Sequence, residues 1–362
     1  MSEDNPVIAF PIIDCHIHLY ASSHLPNLAW APSLPDGHVL KQQNSVEQYR
    51  TASKAQSNLR GFVFLETDRK SSLNENDWQH AVEEIEFLRR IKDGTPIEGE
   101  GHTAADKSLV LGAIPWAPIG APLERLQKYL KRTGAIEDLR SETGLIRGFR
   151  YLLQDKPKGT ALKEDFIDGL LLLERNGART FDIGVDFHQG GNWQLEEAVN
   201  MLDLFSAKST GKMKFVINHL CKPNLRSTGS FDARDKDFQM WTRSIQALAT
   251  FPTTYLKLSG LFSEFEPQAD GRPTAIAELL EISRQYIEII FDCFGAKRIM
   301  FGSDWPVCNV GGPGTANSWS HWTSFVHTLL DHQGVSSVDK AYIWAGCAKN
   351  VYDLDVDLRR DN

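Results

Sequence analysis

The chain has 362 residues, 41% hydrophobic and 24% charged, which is ordinary for a folded protein and long enough for one large α/β domain or two smaller ones. A formal net charge of −8 without a dense Lys/Arg block argues against a nucleic-acid surface, and no apolar stretch approaches a membrane span. The acidic start (Met1 to Asn5) lacks the regions of a signal peptide, and five scattered cysteines form neither a CxxC pair nor a disulfide framework, so a reduced, cytoplasmic setting is expected.

The first structured run, Pro11-Ile12-Ile13-Asp14-Cys15-His16-Ile17-His18, reads as a strand. Side chains alternate with period two, so Asp14, His16 and His18 are expected on one face. Two imidazoles about 7 Å apart on rigid backbone can grip one divalent cation, and a polar strand end with surface histidines fits these residues equally. Residues 20–43 form a long loop with Pro26, Pro32, Pro35 and Gly37, carrying Trp30, His24 and His38. A loop of that size inside a domain is functional or disordered. Ser45 opens a helix reaching residue 58, and residues 61–66 read as a buried strand ending in a stranded carboxylate, Glu66. A helix over 78–92, an inserted Gly/Thr-rich loop over 93–107, a strand over 109–114 and a helix over 122–131 follow.

The fourth strand, 145–151, carries Arg147 and Arg150 at opposite parity, so only one can face inward. After a helix over 166–175, a strand over 181–188 would put Asp182, Asp186 and His188 on one face. A helix over 195–207 precedes strand 214–219, which ends in His219. A polar loop over 223–235, a helix over 238–249 and strand 255–260 with Lys257 and Ser259 come next. A helix over 275–294 leads to strand 298–304, which ends in Asp304. A glycine-rich loop (Gly311, Gly312, Gly314) and helices over 319–330 and 338–352 close the chain.

Eight strands alternating with helices imply parallel pairing and right-handed crossovers, which is the pattern of a (β/α)8 TIM barrel. Such barrels run to about 250 residues, so this one, read as a single domain over 1–362, carries inserted loops. A doubly wound sheet would want a glycine-rich phosphate loop after its first strand, where this chain has Asp-Cys-His-Ile-His. Reactive groups of a barrel collect where strands end. Those ends hold His16, His18, Glu66, Arg150, His188, His219, Lys257 or Ser259, and Asp304, a mixed N/O inventory that suits zinc.

Asp14-Cys15-His16-Ile17-His18, Asn218-His219-Leu220-Cys221-Lys222-Pro223 and Gly302-Ser303-Asp304-Trp305-Pro306 resemble the amidohydrolase superfamily. Together with residues 148–154 and 255–260, they are similar to its amidohydrolase-related lactonase branch. The motifs span Asp14 to Pro306; Cys15 between the ligand positions and Cys221 where a glycine is usual are departures. Binuclear members bridge two metals with a carboxylated lysine on strand four. Arg147 and Arg150 cannot take that role, so the resemblance implies one metal, weakly held in some relatives. It implies hydrolysis of a sugar-acid 1,4-lactone, with one divalent ion, zinc by its donors, held by His16, His18, Glu66 and Asp304. Asp304 is the expected proton acceptor, a helix cap being its plainer role. Arg150 would hold the carbonyl oxygen or hydroxyls, and His219 the developing oxyanion. His188, Trp30 and Trp305 are expected substrate contacts, with Trp193 and Asn309 as further candidates, because an aromatic face suits the C–H side of a sugar. Lys257 is expected to pair with Glu66 or Asp304. A metal-dependent decarboxylase with a similar rim and a catalytically silent ligand-binding barrel are the alternatives. No nucleic-acid or membrane partner is expected, and a homo-oligomer is left open.

Overall fold

Parallel strands pair in chain order throughout the computed structural model, which describes residues 8–226 and 234–359. They are β1 (Ile12–Ile17), β2 (Leu59–Leu65), β3 (Val110–Ile114), β4 (Gly148–Leu152), β5 (Thr180–Gly184), β6 (Lys214–Ile217), β7 (Thr254–Leu258) and β8 (Ile299–Phe301). β1 to β3 form one continuous ladder and β4 to β8 another. Two seams join the ladders. Between β3 and β4, Ala113 N donates to Leu145 O (2.8 Å) and Arg147 N to Ala113 O (3.0 Å). Between β8 and β1, Asp304 N donates to His16 O (2.9 Å) and His18 N to Trp305 O (2.8 Å). The α/β barrel expected from strict alternation is the architecture.

Strands covered on both faces read as continuous apolar runs, and these do. Inside, Ile13, Cys15, Val63, Leu65, Val216 and Met300 pack together with Tyr352 of the last helical segment. Outside, Ile12, Ile17, Phe62 and Phe64 pack against the helices. None of the described helices is long and apolar enough to cross a membrane. The acidic start and most of the expected loop over 223–235 lie outside the described residues.

The face shared by Asp14, His16 and His18 needs correction. The Asp14 carboxylate turns to the helix layer, where it accepts from Tyr49 Oη (3.0 Å), Trp319 Nε1 (3.0 Å) and Ser303 N (2.7 Å). The β1–β2 register shifts between Asp14 and Ile17. That bulge inserts one residue, so Cys15 and His16 both turn inward in succession. The fifth strand also stops early, at Gly184. Asp186 instead caps the short helix Phe187–Gly190, accepting from Gln189 N (2.8 Å), and His188 rides on that helix.

The long loop after β1 is held by packing and by His24. Tyr20, Leu28 and Ala31 form a small buried cluster with Trp30 against it. His24 Nδ1 accepts from Arg69 Nη2 (2.9 Å) and Ala21 N (3.2 Å), which demands an unprotonated nitrogen. Burial, then the Arg69 guanidinium, push its pKa down to about 4.

Asp14→Ala leaves three donors without their acceptor and should lower the unfolding free energy by about 3 kcal/mol or more, read as a drop in urea midpoint. For His24 the neutral form is favoured on folding. Its contribution is therefore full above the unfolded value of 6.5 and is lost as pH falls from there towards about 4. The urea midpoint of His24→Gln should fall less steeply than that of the parent chain across this window; parallel profiles would clear His24 of the role.

Candidate active site and metal centre

The β8/β1 seam gathers four polar side chains at one rim. His16 Nε2 stands 3.2 Å from His18 Nε2, and the two lie 3.4 and 3.5 Å from Asp304 Oδ1. His219 Nε2 lies 3.7 Å from the same oxygen. Among the described residues, His16, His18 and Asp304 are the one group of three His, Cys, Asp or Glu side chains arranged to hold a metal ion, with donor atoms within 4.8 Å of one another.

Protonation suits these residues to the task. His18 Nδ1 faces the carbonyls of Leu65 (3.1 Å) and Glu66 (3.0 Å), which only accept, so Nδ1 carries the hydrogen and Nε2 offers its lone pair. Burial, then the Lys257 ammonium, hold the His16 imidazole well below its usual range. Burial pushes His219 down to about 3, and its Nδ1 meets Ser259 Oγ at 2.9 Å. Metal ligation requires neutral imidazoles. Burial works to raise the Asp304 carboxyl, but its polar surroundings, the Lys222 ammonium among them, outweigh it, so it stays below the usual carboxylate range and ionised. The donor set fits one divalent ion. One neighbour opposes it: Lys257 Nζ, paired with Asp182 at 2.6 Å, stands 3.2 Å from His16 Nδ1. A carboxylate or carbonyl usually occupies that position behind a metal-bound imidazole.

The backbone here is unusual. His219, Leu220, Cys221 and Lys222 run consecutively at φ between 51° and 57°, and Asp304 has φ 60°. L residues disfavour this region, so strain concentrates at the site. Gly260 (φ +71°) gives His219 its room, because a Cβ there would stand 2.3 Å from His219 Nδ1.

A cavity of about 350 Å³ opens onto His18, His219 and Asp304. Trp30 lines it, with Nε1 donating to Thr67 O (2.9 Å) and its ring edge-on to Tyr20. Arg150 lines it too, held by Glu66 through Nε to Oε1 (2.7 Å) and Nη2 to the carbonyl (2.8 Å). This corrects the ligand set: the Glu66 carboxylate is committed to Arg150 and to Asp68 N (2.5 Å), outside the histidine cluster. Lys257 pairs with Asp182 and not with Glu66 or Asp304. Arg147 faces away, donating to the carbonyls of Ser141 and Glu142.

His188 pairs with Glu264 (2.7 Å) and is not part of the cavity wall. The Trp305 ring is 2% exposed and packs on Tyr49, so it serves the core rather than the cavity. Trp193 and Asn309 do not line the cavity either. Lys222, Gln154, Asn218 and Asp68 do, and were given no role from sequence. The first three lie inside motifs already noted, which was their signal. Asp68 had none; burial and Glu66 push its carboxyl up to about 6.

Known proteins resemble this one over most of its length. Residues 132–320 match the family described as amidohydrolase. L-rhamnono-gamma-lactonase of Scheffersomyces stipitis is 30% identical over 350 residues, covering 95% of this chain and 99% of that one. L-fucono-1,5-lactonase of Burkholderia multivorans is 28% identical over 255 residues, 69% of this chain and 74% of the other. A crystal structure of a Burkholderia multivorans amidohydrolase with bound zinc shares the fold, with a TM-score of 0.66 at 23% identity over 95% of this chain and 100% of that chain. A family match across the second half of the barrel and a relative aligned nearly end to end agree: this chain belongs to the amidohydrolase family.

Proposed function

We propose that the protein hydrolyses a sugar-acid 1,4-lactone of the L-rhamnono-1,4-lactone kind. The observation that carries the reading is an ionised, buried Asp304 with three imidazole nitrogens within 3.7 Å of one oxygen, at the cavity. The near full-length likeness to a rhamnonolactonase supports the substrate class. A cytoplasmic enzyme of rhamnose-type sugar catabolism is the setting this implies.

His16, His18 and Asp304 would hold one divalent ion, zinc being the best match to their donors. Such an ion, when bound, polarises a carbonyl and lowers the pKa of water from 15.7 to about 7. The remaining steps belong to the chain. Asp304 takes the proton of the attacking water and returns it to the ring oxygen as that oxygen leaves. His219, held neutral, presents Nε2 beside Asp304 and donates to the developing oxyanion. Arg150, fixed in place by Glu66, offers its guanidinium to the substrate's oxygens. Trp30 gives an apolar face for the C–H side of the ring.

A pH-indicator screen over sugar-acid lactones, with metal content measured on the same sample, tests the reading. Acidification with an L-rhamnono-1,4-lactone substrate and about one equivalent of divalent metal is the expected result. Inactivity on every lactone with metal bound would sink it, and CO₂ release from an aromatic acid would make the protein a decarboxylase. Asp304→Asn should lower kcat by about 10²- to 10⁴-fold while the thermal midpoint holds. Near-normal turnover in that variant would strip Asp304 of the proton-transfer role.

A further inference from the structure

Asn218 follows β6 directly and lines the cavity beside His219. Its main chain is satisfied, with N–H donating to Ile183 O (3.0 Å) and its carbonyl accepting from Cys221 N (3.0 Å). Its side chain is not. The residue is 1% exposed, yet neither Oδ1 nor Nδ2 has a hydrogen-bond partner. Buried amides in this condition are rare, because each forgoes the bonds that water supplies to the unfolded chain. Gly184, also on the cavity wall, lies close beside the amide: a Cβ there would meet Leu152 Cδ1 at 2.9 Å and Asn218 Nδ2 at 3.9 Å.

Two polar neighbours at this wall already have protein partners. Arg150 is held by Glu66, and Lys222 donates to Gln154 and Asp186 (3.3 Å each). An apolar side chain of similar size would fill the position of Asn218 at least as well, so the carboxamide has a purpose only with a polar partner inside the cavity. It offers one acceptor and two donor hydrogens. Adjacent ring hydroxyls of a sugar-acid lactone match that pattern, one donating to Oδ1 and the other accepting from Nδ2.

We infer that Asn218 binds the vicinal hydroxyls of the lactone ring and so selects polyhydroxylated lactones over their deoxy counterparts. This rests on the lactonase reading and adds to it the group that reads the ring. A site built to hydrogen-bond a hydroxyl rejects an analogue lacking it far more strongly than an apolar pocket rejects a methylene, since the polar group is then left unpaired.

Steady-state kinetics on a sugar-acid lactone and its 2-deoxy and 3-deoxy counterparts, for the parent chain, Asn218→Ala and Asn218→Asp, test it. The parent should prefer the full lactone in kcat/KM by about 100-fold or more. Asn218→Ala should collapse that ratio towards one through loss on the hydroxylated lactone alone, with the deoxy rates little changed. Asn218→Asp, near in shape but without the N–H donors, should keep part of the preference, and it carries the test if the alanine variant does not fold. A purely structural role would slow all three substrates alike; an unchanged ratio in an active variant overturns the inference. A parent chain idle on every lactone overturns the lactonase reading, and the inference with it.

Discussion

Two main-chain hydrogen bonds across the β8/β1 seam, from Asp304 N to His16 O and from His18 N to Trp305 O, close the barrel and set the chemistry in the same act. They hold the backbones of His16, His18 and Asp304 side by side, so their side chains converge without a loop to position them. The Asp14 carboxylate reinforces the seam from the helix side by binding the main chain of Ser303 and the side chains of Tyr49 and Trp319. The clustered imidazoles and carboxylate thus stand at rigid strand ends, while Trp30 and Asp68 come from the loops that wall the cavity. Sites supported this way keep their geometry better than sites carried on loops alone.

What the sequence made legible follows from what is local in it. Apolar runs that end in a single polar residue announce a strand and its chemical end, so His16, His18, His219 and Asp304 are legible in the sequence. Pairing between distant residues is not local. Glu66 meets Arg150 from 84 positions away, and Asp182 meets Lys257 from 75. No periodicity says which acid finds which base, so from sequence Glu66 reads as a metal ligand. Alternation also fails silently at a bulge, so it assigns Asp14 to the wrong face. Whether Trp305 faces a ligand or the core is decided by Tyr49, a partner from another element. Asp68, with its left-handed backbone (φ 54°), carries no pattern that separates it from any other loop acid.

The interior charges give the site its character. Tyr352 Oη donates to Asp182, Asp182 holds Lys257, and Lys257 faces His16, all of them out of contact with solvent. A buried ion pair of this kind is offset against its own desolvation, so removing either member alone strands the other. An ammonium behind His16 also weakens the hold on a divalent cation relative to an imidazole backed by a carboxylate. The barrel thereby combines a donor set arranged to suit a metal with a fixed positive charge that opposes tight retention.

The bulge in β1 has one more effect, on assembly. Sliding that strand by a single residue would turn Asp14 into the apolar interior and His16 out among the helices. A lone carboxylate would then be buried with neither Tyr49 nor Trp319 to receive it. Misaligned barrels are disfavoured at the very strand that begins the fold, so these buried polar residues also mark correct strand alignment.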